Sequence, residues 1–267
     1  MNNRPVTSRE YKLMLNVDRF RERKQGAQIF LSLIEFLIQK EGGTILEKQN
    51  QEEQRHTSYL DTPELALRQQ GFALRLRKEA LAADAFQLNL KYRSSDRYMA
   101  ATQDMSSPTG KTKFEEDILP AFVSKFSQST TIKTDKVPDI SSIEKVTTIF
   151  PGLRQQNMDG KTAVKTINNF TALEVVRKLC KLQFGEPPTI KASLSFWYLK
   201  AEKDEWPLVG EFSFDYDTIT SGAEDQLEEF PSKVVDGANR FFRSLQSQSG
   251  WLNLNPTTKT AFALEML

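Results

Sequence analysis

The clearest structural signal in the sequence lies at residues 57–93, TSYLDTPELALRQQGFALRLRKEALAADAFQLNLKYR. Its segments ALRLRK at 73–78 and FQLNLKYR at 86–93 alternate charged and apolar residues, as half-buried β-strands do. Because side chains two residues apart on a strand point to the same side, we expect two neighbouring strands that aim cations one way and leucines the other. Such a cluster of cations either faces water or binds an anion. The four cations are Arg75, Arg77, Lys91 and Arg93.

Composition narrows the class of protein. The chain has 267 residues, 39% of them hydrophobic, with 18 Phe, which is enough for the core of a large barrel or sandwich. A net charge of +1 gives no general attraction to nucleic acid or to a membrane. A single Cys and a single His argue against a zinc cage or a Cys–His catalytic pair. With neither an apolar signal segment nor a membrane-length run, we expect a cytoplasmic protein, as a monomer or a homodimer.

The same alternation recurs along the chain. Segments 9–17, 113–118, 173–184 and 209–217 each have one charged face, and segments 44–60 and 189–200 read as further strands, which makes eight in all. The charges are sorted by strand, since the bases of 73–93 contrast with acids in the later strands. Those acids are Glu115, Asp117, Glu211 and Asp215.

Two apolar stripes at helical spacing, within 30–38 and 234–245, predict helices that cover a sheet. The second helix region is expected over 224–248. Residues 120–170 are interpreted as a mostly helical connection between the two halves of one domain spanning 1–267, with helices around 121–127 and 142–150.

These patterns allow two arrangements of the sheet. One is a half-exposed antiparallel sheet with its polar side in water. In the other, the helices cover the apolar faces on the outside, and the charged faces line the inside of a closed barrel. Sorted charges and at least two covering helices favour the second arrangement. We therefore predict an α+β fold, a β-barrel with a charged interior and with helices packed on its outside.

A barrel lined by acids and bases must compensate its buried charges, because an unpaired buried ion is strongly destabilising. Arg suits bidentate contact with phosphate, and Lys suits a point contact. Carboxylates with water suit Mg²⁺ or Mn²⁺. The composition is thus the one expected for a metal-bound polyphosphate and for phosphoryl transfer. No P-loop and no Gly-rich dinucleotide motif occurs in the chain.

The segments also resemble the CYTH family, the triphosphate tunnel metalloenzymes. YLDTPELALRQQGFALRLRKE at 59–79 is similar to the family's YFDTP…LR…G.ALRIR segment, and LNLKYR at 88–93 is similar to its LTLKxR strand. SREYK at 8–12 resembles the opening Glu-x-Glu-x-Lys strand, with Ser8 at the place of the first Glu.

Three later elements extend the resemblance over nearly the whole chain. KFEED at 113–117 is similar to the family's R-x-E-x-E strand. GEFSFD at 210–215 is similar to its E-x-E-x-E strand, with Ser213 at the place of the middle Glu. TTKTAF at 257–262 resembles its late Ser-Lys element.

The resemblance implies that the barrel is an eight-stranded antiparallel β-barrel forming a tunnel, with metal-dependent chemistry on a triphosphate inside it. It implies that phosphate is bound by Arg75, Arg77, Lys91, Arg93 and Arg177. It implies that one or two Mg²⁺ or Mn²⁺ ions are held by Glu10, Glu115, Asp117, Glu211 and Asp215. It assigns Lys12 and Lys259 to phosphate contact or to positioning the nucleophile.

Four functions stay open at this point. The first is hydrolysis of a triphosphate, inorganic or organic, and the second is cyclisation of ATP, as in class IV adenylyl cyclases. The third is binding of polyphosphate or nucleotide without catalysis, which Ser8 and Ser213 favour because they replace two expected acids. The fourth is a barrel for an apolar ligand, which would require the Phe and Leu faces to point inward.

Overall fold

The computed structural model describes residues 5–81, 85–199, 206–218, 230–253 and 258–265. In this part of the chain, alternating segments form extended strands with one polar and one apolar face. The strands are β1 (Ser8–Met14), β2 (Thr44–Lys48), β3 (Glu52–Asp61), β4 (Phe72–Glu79), β5 (Phe86–Ser94), β6 (Lys111–Leu119), β7 (Val123–Thr134), β8 (Lys165–Phe184), β9 (Glu186–Tyr198) and β10 (Val209–Asp217).

The helices follow the apolar stripes and the capping residues. Asp61 accepts hydrogen bonds from the backbone N–H groups of Leu67 and Arg68 at 2.9 Å and so anchors the short helix that follows the Pro63 turn. Residues 224–229, where the last long helix was expected to begin, lie outside the described residues. The helices are α1 (Arg23–Lys40), α2 (Ala66–Gln69), α3 (Arg97–Thr102), α4 (Ile143–Ile149), α5 (Ser232–Gln246) and α6 (Lys259–Glu265).

The strands close into a barrel, as predicted, but with nine strands instead of eight. Within the described residues, the order around the ring is β8-β3-β4-β5-β7-β6-β1-β10-β9, and pairing of β9 with β8 closes it. β2 pairs with the far end of β8 and continues the line of β3. A closed ring with an odd number of strands cannot alternate in direction throughout. One neighbouring pair is therefore parallel, and it is β1 with β6. The expectation of an eight-stranded antiparallel barrel was wrong in number and in this pairing.

The additional strand is β7, which lies where a helix around 121–127 was expected. Its sequence, VSKFSQSTTIKT, has few apolar residues, so alternation gave no signal. The strand is held by its neighbours, because β5 and β6 bond both of its edges. Ser127, Gln128 and Thr130 are fully buried in this position. The expectation of a mostly helical 120–170 segment is therefore corrected, although α4 confirms its second helix.

The apolar faces of the strands point outward and are covered by helices, as predicted. α1 contributes Phe30, Ile34 and Ile38 to the largest core cluster, and α5 contributes Phe241 and Phe242. A second cluster joins Leu74, Leu88 and Leu90 of the cationic strands to Val146 and Phe150 at α4. The other face of each strand therefore points into the barrel. Within the described residues, no helix has the length and apolar character needed to span a bilayer.

Candidate functional site

The charged strand faces meet in a cavity of about 400 Å³ inside the barrel. Eight Lys and Arg side chains and three carboxylates are among its lining residues. Nine of the twelve site residues proposed from the sequence lie in this lining. They are Glu10, Lys12, Arg75, Arg77, Lys91, Arg93, Glu115, Glu211 and Lys259.

Asp117 lies beneath the lining at the centre of a buried ion cluster. Its carboxylate accepts from Lys12 Nζ at 2.7 Å and from Arg93 Nη2 at 2.6 Å, and Lys91 Nζ lies 3.3 Å away. Burial raises the pKa of Asp117, but the three cations together hold it well below its usual range. Strands β1, β5 and β6 are thus joined on one wall of the cavity by a permanently charged carboxylate.

Glu10 and Asp215 form a carboxylate pair beside this cluster. They are direct partners in the β1–β10 register and share the lumen face. Glu10 is tied to Lys12 Nζ at 2.7 Å. Burial, followed by the charge of Glu10, raises the pKa of Asp215 to about 7. Asp215 is therefore close to the cavity without lining it, and its charge depends on pH near neutrality.

The opposite wall carries cations with incomplete partners. In the part of the chain that the structure describes, Arg75 has no carboxylate within ion-pair distance, and its only side-chain hydrogen bond is a long one of 3.5 Å to Asn89 Oδ1. The Nε atoms of Arg75 and Arg77 are buried there without a hydrogen-bond partner. Burial, followed by the nearby charge of Arg75, lowers the pKa of Arg77 to about 9. This wall can accept further negative charge.

The cavity has a polar mouth and an apolar inner end. At the mouth, Lys113 and Lys191 lie about 4 Å from Asp217, and all three side chains are more than half exposed. At the other end, Trp197, Ala172 and Tyr59 pack with Ala263 of α6 and close the lumen. The buried arginines are thus open to the solvent from the side of Lys113 and Lys191.

Two further functional candidates were missed by sequence reasoning. Glu174 of β8 is completely buried and contacts Arg55, Arg77 and Lys259 at 2.8–3.1 Å. Arg55 itself lines the cavity. The signal in the sequence was weak, because Glu174 stands in the nearly apolar run ALEVV and Arg55 stands among polar residues on both faces of β3.

Arg177 does not lie where the proposed phosphate role requires. It alternates with Val176, which lines the cavity, and so points to the outside of the barrel. Its guanidinium donates to Asn50 Oδ1 at 2.7 Å. Lys178, the neighbour one position along, bonds Glu53 at 2.7 Å in a pair that is more than 40% exposed. Placing Arg177 in the tunnel was therefore wrong.

The proposed metal ligands do not come together as one cage. Within the described ranges, no three His, Cys, Asp or Glu side chains converge on a common point. Asp117 is enclosed by cations, Glu211 pairs with Lys259 at 2.9 Å, and Glu115 lies 3.8 Å from Lys91. Ser8 and Ser213 stand at lumen positions where the sequence resemblance predicts two further acids as metal ligands. The donor set thus does not fit a metal ion held by this chain alone, and the expected Mg²⁺ or Mn²⁺ stays a prediction.

No protein-family model and no curated protein matches the sequence. Its fold, in contrast, is found in solved structures. One is the adenylyl cyclase candidate HpAC1 from Hippeastrum, described as having a dominant triphosphatase activity. It is 12% identical, aligns over 98% of this chain and 96% of that chain, and has a TM-score of 0.51. The resemblance to the triphosphate tunnel family is thereby confirmed for the fold.

Two other solved structures align over nearly the whole chain with lower scores. An adenylate cyclase candidate from Bacillus halodurans is 11% identical over 97% of both chains, with a TM-score of 0.41. The PH1819 protein from Pyrococcus horikoshii is 10% identical over 97% of this chain and 99% of that chain, also with a TM-score of 0.41. At these scores the two matches add nothing to the assignment of the fold.

Proposed function

We propose that the protein is an enzyme that binds the phosphate groups of a triphosphate compound in the barrel cavity and hydrolyses a phosphoric anhydride bond. The observation that carries this proposal is the excess of cations around the cavity: eight Lys and Arg side chains line it, against three lining carboxylates and the buried Asp117 and Glu174. A polyanion is the ligand that such a lining attracts and neutralises. The triphosphatase activity described for HpAC1, which has the same fold, supports the same reaction class.

The residues suggest how the substrate is oriented. Arg75 and Arg77, with unpartnered Nε atoms, would hold the inner phosphate. Lys91 and Arg93 would hold the middle of the chain from the wall that contains Asp117. Lys113 at the mouth would meet the outer phosphate or the group attached to it. Neutralising the non-bridging oxygens while holding the phosphates in line is the main requirement of phosphoryl transfer.

Carboxylates of the cavity would orient the attacking water. Glu10, Glu115 and Glu211 line the same cavity as the arginines. As hydrogen-bond acceptors, they can hold a water molecule beside a phosphorus atom that the cations keep in place. Positioning of this kind contributes to rate without any change in the bound phosphates.

The test is a substrate panel scored for two products. Tripolyphosphate, ATP and another organic triphosphate are incubated with Mg²⁺, with Mn²⁺ and with EDTA, and both free phosphate and cyclic AMP are measured. We expect phosphate release that the double variant Arg75→Ala/Lys91→Ala reduces at least about a hundredfold, because two charge-assisted contacts are lost. Arg177→Ala is the matched control, since it removes a cation from the outside of the same barrel.

Each alternative predicts a different outcome. Cyclic AMP without phosphate release from ATP would replace hydrolysis by cyclisation. Calorimetric binding of tripolyphosphate without turnover of any panel member would favour the non-catalytic binder that Ser8 and Ser213 suggest. Equal loss of activity in Arg75→Ala/Lys91→Ala and in Arg177→Ala would show that the cavity cations are not the site. Full activity in EDTA would remove the metal requirement that the family resemblance implies.

A further inference from the structure

Glu174 is surrounded by the type of donors that hold a bound oxyanion. Its Oε2 accepts from Arg55 Nε at 2.8 Å and lies 3.1 Å from Arg77 Nη2, while its Oε1 accepts from Lys259 Nζ at 3.1 Å. The side chain is fully buried. Burial raises the pKa of Glu174, but Arg77, Lys259 and Arg55 together hold it well below the usual range. The carboxylate is thus a permanent anion inside a group of three cations.

Two hydroxyl groups complete the surroundings of this carboxylate. Thr57 Oγ1 donates to Oε2 at 2.9 Å, and Ser195 Oγ donates to Oε1 at 2.9 Å. The five donors come from the three strands β3, β4 and β9 and from α6, so the geometry is fixed by the barrel and not by one flexible segment. Cations with hydroxyl donors in such an arrangement form an oxyanion site, and Glu174 fills it.

The position of Glu174 is the inner end of the cavity. On β8 the next residue on the same face is Ala172, which belongs to the apolar cluster that closes the lumen. In the other direction lies Val176, which lines the cavity. Arg77 contacts Glu174, and Arg75 lies one lumen position nearer the closed end on β4, beside Tyr59. The carboxylate therefore occupies one anion position at the inner end of the cavity, next to Arg75.

We propose that Glu174 is a specificity-determining residue that acts as a built-in anion and limits how many phosphate groups the cavity accepts. This inference rests on the proposed phosphate-binding function. Arg55 and Lys259 are already neutralised by Glu174, so a substrate phosphate at the inner end is held by Arg75 and by Nε of Arg77 and does not displace the carboxylate. Repulsion between a carboxylate and a phosphate at close range in a buried site strongly disfavours binding of one more phosphate beside it.

The experiment is calorimetric titration with tripolyphosphate and with tetrapolyphosphate. Wild type, Glu174→Gln and Glu53→Gln are compared in the same buffer. Glu174→Gln removes one negative charge and retains groups that can bond Thr57 and Ser195. Glu53→Gln removes the same charge from a pair with Lys178 that is more than 40% exposed and is not among the residues lining the cavity, and so controls for the change in net charge. Thermal unfolding establishes that each variant is folded.

The expected result is that Glu174→Gln binds tetrapolyphosphate at least about tenfold more tightly than wild type, with a smaller gain for tripolyphosphate. Glu53→Gln is expected to change both affinities less than about twofold. Tighter binding by Glu174→Gln also supports the inference if wild type itself binds neither ligand. Unchanged or weaker binding in folded Glu174→Gln, while wild type binds, overturns the inference and leaves the proposed function standing. Absence of binding in both proteins overturns both.

If Glu174→Gln does not fold, Glu174→Asp decides the matter. It keeps the charge but shortens the side chain by one methylene, which withdraws the carboxylate from the cavity. The inference then expects the affinity ratio of tetrapolyphosphate to tripolyphosphate to rise by at least about threefold. An unchanged ratio would assign Glu174 a purely structural role.

Discussion

Asp117 and Glu174 are both buried acids surrounded by three cations, yet they lie on opposite walls of the barrel. The cations of Asp117 are Lys12, Lys91 and Arg93, all from strands. Those of Glu174 include Lys259 from α6 and Arg77, whose pKa is lowered. The first cluster is a balanced part of the wall, whereas the second adjoins Arg75 and stays short of negative charge. Similar composition thus gives a nearly balanced ion cluster in one place and an excess of positive charge in the other.

The largest expected effect separates these two clusters directly. Asp117→Ala and Glu174→Ala should each lower the free energy of unfolding by about 3–5 kcal/mol, because each leaves buried cations without a counter-ion. Added tripolyphosphate should restore more stability to Glu174→Ala than to Asp117→Ala, since a phosphate can take the place of the Glu174 carboxylate. Urea denaturation with and without the ligand measures both numbers. Equal rescue of the two variants would remove the distinction between the clusters.

Substitution of Asp215 is expected to have the next largest effect, and it should raise the free energy of unfolding where the first two substitutions lower it. Its pKa is raised to about 7, so the folded state holds a proton that the unfolded state has lost above about pH 4. Stability from this group is present at low pH and declines as the pH rises to 7. Asp215→Asn should therefore raise the free energy of unfolding at pH 8, by up to about 4 kcal/mol, with little change at pH 4. Thermal melts in EDTA across this range measure it.

The pH profile of the wild type combines both kinds of group. Asp117 and Glu174 have lowered pKa values, so their contributions are present above about pH 4 and are lost only as the pH falls further. Stability should hence reach its maximum between these two limits. A Tm that rises steadily from pH 4 to pH 8 in EDTA would contradict the assignment of Asp215.

An intermediate effect is expected from the outside of the barrel. Gly237 lies on α5 where an added Cβ would overlap the ring of Phe184. Gly237→Ala should cost about 1–3 kcal/mol of stability through overpacking, measured by urea denaturation. Because this contact lies between helix and barrel, tripolyphosphate affinity should stay within about twofold of wild type. A large loss of affinity would mean that the two faces of the strands are not independent.

The smallest effect is expected at Arg177, which lies outside the cavity and bonds Asn50. Arg177→Ala should change the free energy of unfolding by no more than about 0.5 kcal/mol, as for most surface substitutions. The change is measured beside the Asp117 and Glu174 variants under identical conditions. A loss comparable to theirs would show that Arg177 belongs to the buried charge system after all.

The residues around Asp117 could be predicted from the sequence and those around Glu174 could not, for physical reasons. Lys91, Arg93 and Asp117 stand on strands that alternate strictly, so their faces could be predicted. Around Glu174 the run ALEVV is apolar at neighbouring positions, so no alternation indicates which side faces the lumen. Strict alternation would place Arg177 and Lys181 on the same face of β8. A register shift between Lys178 and Cys180 interrupts that alternation. Local patterns do not contain such irregularities.

The missing ninth strand has a similar explanation. β7 is polar on both faces and is stabilised by hydrogen bonds to two antiparallel neighbours. One is β6, the strand before it in the chain, and the other is β5, which lies farther back in the sequence. Its propensity as an isolated segment is weak, and tertiary pairing overrides that propensity. The closed barrel and its outward apolar faces could be predicted, whereas the strand count and the single parallel pair could not.

The arginines of the cavity that lack a full complement of carboxylate partners are expected to bind phosphate. Calorimetric titration of tripolyphosphate into three proteins measures this binding. Wild type should bind, Arg75→Ala should bind at least about tenfold more weakly because a charge-assisted contact is lost, and Arg177→Ala should match wild type within about twofold. Equal affinities for the three proteins, or no binding by wild type, would contradict the claim.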